Sequence, residues 1–436
     1  MTEMTYALRL QKMIQCETVS VKGKYDDLEF SKLRSVMEEL FPLIHKNAQR
    51  KTFSDDCWLY EIKGKNQAKN IVLMSHHDVA PVEGEWKHPG FSGKIEDKRI
   101  WGRGTVDTKT SLFAEFSAVE ELLEEEGTLP FTVYIASSHD EEIAGDGMQK
   151  IVEYFRANSI VPNFILDEGG AVIEPPMAGI TKKCSALAVH EKGRFTLELI
   201  AEADKEHAGL SANAETPVAR MAAFIVRMQT KPPYIRRFTP ELSAMFKALA
   251  PHMKFPMGFI FSHLGLFEGV LKKIIPKLNA QAGAMLGTTG TFQEISTDKD
   301  NGHVCNAKLF LRPLDEEDLH REIAIITEIA AEYGVNVKTA EQGNELHKPS
   351  RMEGEAWEHV TNCIAKTFPD SIVMPFILPA GTDARHFSEL CPFVYRFAPL
   401  DIDNQQFKSV HGVDENIYIS AIPKAVQFYK TIISEM

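Results

Sequence analysis

Cysteine is sparse and scattered. The six cysteines of this 436-residue chain, Cys16, Cys57, Cys184, Cys305, Cys363 and Cys391, never form a Cys-x-x-Cys pair. That argues against a thiolate zinc cluster or a thioredoxin-like redox pair, and it fits a reduced protein. Long apolar runs are missing too. The longest charge-free stretch, about residues 255–267, is broken by Pro256 and two glycines. It is too short to span a bilayer. Positive charge is in deficit: Lys and Arg number 48 against 61 Asp and Glu, a net charge of −13. A chain this acidic is a poor partner for a nucleic-acid backbone. Met1-Thr2-Glu3-Met4 offers no basic leader and no apolar run follows it. The expectation is a cytoplasmic protein with no nucleic-acid and no membrane partner.

What is present is ordinary globular composition, with 44% hydrophobic residues. At roughly 100–200 residues per domain the length predicts two or three domains. No repeat or low-complexity tract interrupts them. The first half alternates strand and helix. Ile71-Val72-Leu73-Met74, Phe131 to Ile135 and Phe164-Ile165-Leu166 read as buried strands, and residues 111–126 read as a helix stopped by Gly127. This order predicts an α/β fold, a mostly parallel central sheet flanked by helices. After about His190 the pattern changes. Phe195 to Ile200 alternates strictly, like a strand with one exposed face. Together with strands near 308–311 and 335–337 and a helix over 318–333, it predicts an inserted α+β lid. A Phe- and Met-rich segment, about residues 233–285, lies within that lid and reads as lid core, dimer contact or an apolar wall for substrate. The α/β pattern resumes after about Leu346.

Polar clusters follow the apolar runs, where open α/β sheets bind ligands. In Ser75-His76-His77-Asp78 the imidazole of His76 and the carboxylate of Asp78 share a face, as a ligand and its orienting partner do. Asp107 follows the double glycine of Gly102-Arg103-Gly104 at a helix start; an N-cap is the plainer reading. Asp140-Glu141-Glu142 sets three carboxylates in a row. They repel unless a cation neutralises them or water solvates the turn. Asp167-Glu168 follows the third strand, and His411 lies far downstream. Each alone has a structural explanation. Jointly they make a nitrogen and oxygen donor set suited to two divalent metal ions sharing one carboxylate, Zn2+ first, Mn2+ or Co2+ as alternatives.

Read in order, Leu73 to Pro81, Trp101 to Lys109 and His139 to Glu142 resemble the di-zinc aminoacylase/carboxypeptidase family of metallopeptidases. That family includes acetylornithine deacetylase, succinyl-diaminopimelate desuccinylase and glutamate carboxypeptidases. Asp167-Glu168-Gly169-Gly170, Glu191-Lys192-Gly193, Gly381 to His386, Tyr395-Arg396-Phe397 and Val410 to Val413 carry the likeness to its Gly-X carboxypeptidase (carboxypeptidase S) branch, with the N-acyl-amino-acid hydrolases. The resemblance implies that His76, Asp107 and Asp167 hold one metal and that Asp107, Glu142 and His411 hold the other. It makes Glu141 the general base and Asp78 the partner of His76. His207 would stabilise the oxyanion across a homodimer formed through the lid. Arg385 and Gly381 would meet the substrate carboxylate, joined by Asn301 and Arg312. Asn301-Gly302-His303-Val304 lacks the proline usual in that element. The Asp107–Thr108 peptide is expected to be cis.

With ligands before residue 170 and again at 411, the catalytic domain must be discontinuous: residues 1–188 and 341–436, with a lid and dimerisation domain over 189–340. The activity implied is zinc-dependent hydrolysis of an amide or peptide bond beside a free carboxylate. Its substrates are small molecules: dipeptides, C-terminal residues or N-acyl amino acids. The alternatives are an inactive binding or regulatory relative, which should have lost ligands, and a di-metal phosphoesterase, which should carry a basic phosphate clamp.

Overall fold

A computed structural model describes residues 1–177, 179–203, 216–297, 303–341, 343 and 345–436. Its main sheet is mixed. The strands run in the spatial order Gln49–Phe53, Cys57–Ile62, Leu129–Ser137, Gly64–Met74, Phe164–Asp167, Val394–Arg396, Cys184–Glu191 and Ile372–Leu378, and Val172–Ile173 pairs off this path with Cys184–Glu191. The centre is parallel: Gly64–Met74 pairs in parallel with both Leu129–Ser137 and Phe164–Asp167. Parallel strands are covered on both faces, and the apolar runs Ile71 to Met74 and Phe164 to Leu166 are accordingly fully buried.

The helix Lys109–Glu126 crosses between two of these strands, as a parallel connection requires. Its first twelve residues are all buried, and it stops at Gly127, whose φ of 72° suits the left-handed cap. One large core joins it to the N-terminal helices Glu3–Ile14 and Asp27–Leu40 and the last helix, Ala421–Ser434.

A second, antiparallel sheet has the order Thr289–Thr297, Val304–Arg312, Phe195–Glu202 and Val335–Thr339. In Phe195–Glu202 the alternate residues Leu197, Leu199 and Ala201 are buried, while Glu198 and Glu202 are exposed. The buried row packs on the helices Pro217–Thr230 and Glu316–Glu332. The Phe- and Met-rich segment is helical: Pro240–Leu249, Met257–Ser262, Leu264–Leu278 and Ala280–Ala284. Its inner residues, among them Leu242, Phe246 and Phe261, share a core with Met374 and Ile377 of the edge strand of the main sheet.

Three of the polar clusters named above lie where main-sheet strands end, at Met74, Ser137 and Asp167. One tight contact holds two strands there. A methyl at Gly170 would lie 2.0 Å from the Ala186 carbonyl oxygen and 2.6 Å from that of Arg396. Backbone cannot move aside as a side chain can, so Gly170→Ala must part the strands. We expect a loss of at least about 1–3 kcal/mol in urea unfolding; an unchanged midpoint would refute this packing.

Candidate active site

His76 and Asp78 leave the Gly64–Met74 strand at its carboxyl end. Asp78 is buried and accepts from Ser20 Oγ at 2.6 Å and from the backbone N–H groups of Glu141 at 3.3 Å and Glu142 at 3.1 Å. Its Oδ1 also lies 3.2 Å from His76 Nδ1. One carboxylate thus aims an imidazole and fastens the acidic loop beside it. His76 Nε2, at the far side of the ring, lies 2.9 Å from Asp107 Oδ1.

Asp107 is the junction. Its other oxygen, Oδ2, lies 3.0 Å from His411 Nε2, which is also 3.1 Å from Glu142 Oε2. Glu142 Oε1 accepts from Ala80 N at 3.0 Å. Burial opposes the charge on Asp107, yet the bonds from His411 and His76 hold its carboxyl below the usual range. The two imidazoles are raised in return: His76 against its burial, and His411 to about 10 through its bonds to Asp107 and Glu142. The Asp107–Thr108 peptide is cis.

Among the described residues the Glu141 carboxylate has no such partner. Burial pushes its carboxyl well above the ordinary value; His76 counteracts this, while Asp383, Asp78 and Asp107 add to it. Asp167 closes its strand with both oxygens on backbone N–H groups, those of Glu168 and Ala384, each at 2.9 Å. Burial, then neighbouring Asp383, lift it to about 7. The next residue, Glu168, is also raised by burial and then by Asp107, Asp167 and Glu141, with His76 opposing. Glu168 lies in the field of Asp107, and Asp167 is tied to the backbone of Glu168 and Ala384. The place of Glu168 right after Asp167 was the one signal available in the sequence.

The donor atoms of His76, Asp107 and Glu142 all lie within 4.8 Å of one another. Around them stand Glu141 and Glu168, partly buried carboxylates whose proton affinity is raised by desolvation and by the neighbouring carboxylates, with His76 opposing. Nitrogen and oxygen donors at this spacing, with surplus acid, fit hard divalent ions. A further grouping, Cys57, His139 and Asp140, lies beside it. Asp140 there accepts from Gly147 N at 3.1 Å and shapes the loop carrying Glu141 and Glu142.

A buried ion pair fixes the loops. Glu415 accepts from Val106 N at 2.7 Å, Asp107 N at 3.1 Å, Gly104 N at 3.1 Å and Arg103 Nη1 at 2.7 Å. Arg103 in turn donates to the carbonyls of Ala80, Pro81 and Gly412. Neither residue of this pair was singled out as a functional group in the sequence.

The remaining candidates divide. Arg385 is buried and bonds Glu345 through Nε at 3.0 Å and the Thr382 carbonyl through Nη1 at 2.7 Å. Gly381 precedes Thr382, whose N–H and hydroxyl both donate to Glu191. Arg312 ends the Val304–Arg312 strand. Burial and then the positive neighbours Arg194 and Arg385 depress it, while Glu345 and Glu191 oppose. The structure therefore brings Arg312, Arg385 and the unforeseen Arg194 into one field. His207 and Asn301 lie outside the described residues.

Comparison with known proteins decides the family. The profile of peptidase family M20/M25/M40 matches residues 72–435. The chain belongs to this family. It is a metal-dependent hydrolase of peptide or amide bonds. A probable carboxypeptidase S-like 2 of Dictyostelium discoideum is 29% identical, over 99% of this chain and 85% of that one. The human N-fatty-acyl-amino acid synthase/hydrolase PM20D1 is 27% identical, over 96% and 85%. Among solved structures, an M20 family metallo-carboxypeptidase from Sulfolobus solfataricus superposes with a TM-score of 0.71 at 18% identity, covering 98% of each chain. A dinuclear metal-binding M20 peptidase, YXEP of Bacillus subtilis, does so at 0.61 and 13%, covering 99% and 98%.

Two outcomes test this geometry. Glu415→Gln replaces two charge-assisted acceptors by an amide and leaves Arg103 unpaired; breaking such a buried pair should cost about 3–5 kcal/mol in denaturant unfolding. A cost below about 1 kcal/mol would show that the pair does not organise the loops. In chelator-treated protein His411 should act as a raised base. Its stabilisation is complete below its ordinary pKa of about 6.5 and is lost as pH rises through about 10. The stability advantage of wild type over His411→Gln should therefore shrink steadily from about pH 7 to pH 10. An advantage that grew with pH would reverse the assignment.

Proposed function

We propose that this chain hydrolyses the amide bond next to a free carboxylate, in dipeptides, C-terminal residues of peptides or N-acyl amino acids. It would use two divalent metal ions, Zn2+ in preference to Mn2+ or Co2+. The observation carrying this reading is Asp107, which presents one carboxylate oxygen to His76 and the other to His411. His76, Asp107 and a carboxylate of the Asp167-Glu168 pair would hold one ion; Asp107, Glu142 and His411 would hold the other. Such ions polarise the scissile carbonyl and lower the pKa of a water towards about 7.

The rest is done by the chain. Asp78 orients His76 through Nδ1 and holds the Glu141-Glu142 backbone. Glu141, partly buried and, among the described residues, lacking a donor to its carboxylate, takes the proton of the attacking water and delivers it to the leaving nitrogen. His207 would meet the developing oxyanion. Arg385, Arg312 and Arg194 converge where an anion is needed. Among the described residues Arg385 Nη2 makes no hydrogen bond, which leaves it free for a substrate carboxylate. Asn301 and the Gly381 loop would complete that end. The relatives named for carboxypeptidase and N-fatty-acyl-amino acid activity both act beside a carboxylate, which supports the reading. We further propose residues 1–188 and 341–436 as the catalytic domain and 189–340 as a lid that pairs two copies. In support, all four strands of the second sheet fall between Phe195 and Thr339.

A hydrolysis panel of dipeptides and N-acyl amino acids with added zinc, manganese or cobalt tests the activity. The roles of the adjacent glutamates are tested by substitution. Glu141→Gln keeps shape but cannot accept a proton. We expect metal content near wild type and a rate loss of about 10²–10⁴. Glu142→Gln should weaken one metal site, and excess zinc should restore part of its activity and none of that of Glu141→Gln. The reverse rescue pattern would exchange the two roles.

A further inference from the structure

The helices Met257–Ser262 and Leu264–Leu278 turn apolar residues outward as well as inward. Leu264, Leu271 and Ile275 are buried against the core. On the outer side Leu266 is 78% exposed, Val270 58% and Ile274 42%. Their spacing of four residues puts them in one row. Phe255, at 87% exposed, and Phe259, at 50%, precede that row. Soluble chains scatter such residues singly; five along one helical segment mark a contact face.

The charge of the same segment is opposite to that of the chain. Between Pro251 and Leu278 stand Lys254, Lys272, Lys273 and Lys277 against one acid, Glu268, in a protein of net charge −13. Glu268 is already paired with Lys272 at 2.9 Å. Among the described residues the other three lysines have no carboxylate partner. Beside the apolar row lies a depression of about 360 Å³, lined by Pro232, Tyr234, Arg236, Gly269, Lys272 and Lys273. Arg236 is exposed there. Three cations around a concavity make an anion-sized recess next to a greasy ridge.

We propose that this face docks the protein onto an anionic lipid surface. Phe255, Phe259, Leu266, Val270 and Ile274 would enter the headgroup–acyl boundary. Lys254, Lys273 and Lys277 would reach the headgroups, and Arg236 with Lys272 and Lys273 would seat one phosphate. This is the arrangement by which interfacial helices bind: a modest apolar face plus attraction to anionic lipid. A second copy of the chain fits the same face badly, because it would set these cations against one another. None of the described helices is long and apolar enough to span the bilayer; the docking proposed is peripheral.

Co-sedimentation of the full chain with phosphatidylcholine vesicles, with and without phosphatidylserine, tests the proposal. Binding should need phosphatidylserine and weaken as salt rises. Val270→Glu and the pair Lys273→Glu with Lys277→Glu should each lower partitioning on the order of tenfold or more. All three positions are solvent-exposed and distant in sequence from the site residues, so hydrolysis of a short soluble substrate should be unchanged and serves as the control for folding. Absence of binding to phosphatidylserine vesicles would overturn the proposal. So would equal partitioning by the Lys273 and Lys277 variant. Light scattering in which Val270→Glu converts a dimer to monomer, with no vesicle binding by either form, would assign the face to self-association instead.

Discussion

The geometry of the site depends on the ion pair between Arg103 and Glu415, both almost completely buried. Removing two charges from water is costly, and the cost is recovered where each remaining donor and acceptor is satisfied. Glu415 is satisfied by the backbone of residues 104–107, and Arg103 by carbonyls of Ala80, Pro81 and Gly412. Those are the loops that carry Asp107, the His76–Asp78 pair and His411. The pair is therefore comfortable only when all three loops are docked together. This makes ligand placement cooperative: displacing one loop unsatisfies a buried charge that the other two also use.

The carboxylates around Asp107 differ in what satisfies them, and that difference separates scaffold from chemistry. Asp78 takes a hydroxyl and two backbone N–H donors, and Asp167 takes two backbone donors. These donors fix where both groups stand, although burial and then Asp383 still lift Asp167 to about 7. Glu141 and Glu168 are partly buried; desolvation raises both, and the carboxylates around them add to it against His76. A carboxylate of this kind needs a cation or a proton. The sequence placed Glu141 and Glu142 side by side with identical chemistry. The structure distinguishes their surroundings: Glu142 faces His411 and Ala80 N, while the Glu141 carboxylate has no hydrogen-bond partner among the described residues.

Legibility in the sequence followed the range of the forces involved. Strands such as Phe164–Asp167 and Phe195–Glu202 were readable because burial imposes a local pattern of apolar residues. Motif residues were readable because metal chemistry needs particular donors at strand ends. Glu415 was not, although it lies four residues after His411. Its partners Arg103 and Val106 are about 310 positions away, and nothing local reports them. The order of Asp167 and Glu168 at their strand end was equally hidden, since it is set by the bond to Ala384 N from across the sheet. The helices between Pro240 and Ala284 read only as a Phe- and Met-rich segment, because apolar residues on both faces blur the helical period.

Arg385 links the two ends of the site. It lies within the field of Glu141 on one side and shares Glu345 and Glu191 with Arg312 on the other. Burial and then Arg194 and Arg385 depress Arg312, whereas Asp383, Glu345 and Glu191 raise Arg385 against its burial. The site thus has an acidic end around Asp107 and, at Arg312, a cation that its surroundings disfavour. A substrate that offers an amide carbonyl next to a carboxylate presents its two functions in the spacing that such a pair of ends can read. A simple amide would leave the arginine end uncompensated. A free carboxylic acid without an acyl nitrogen would place nothing before Glu141. On the proposed reading, selectivity for the bond beside a carboxylate would rest on this charge balance, before any contact with the acyl group or side chain.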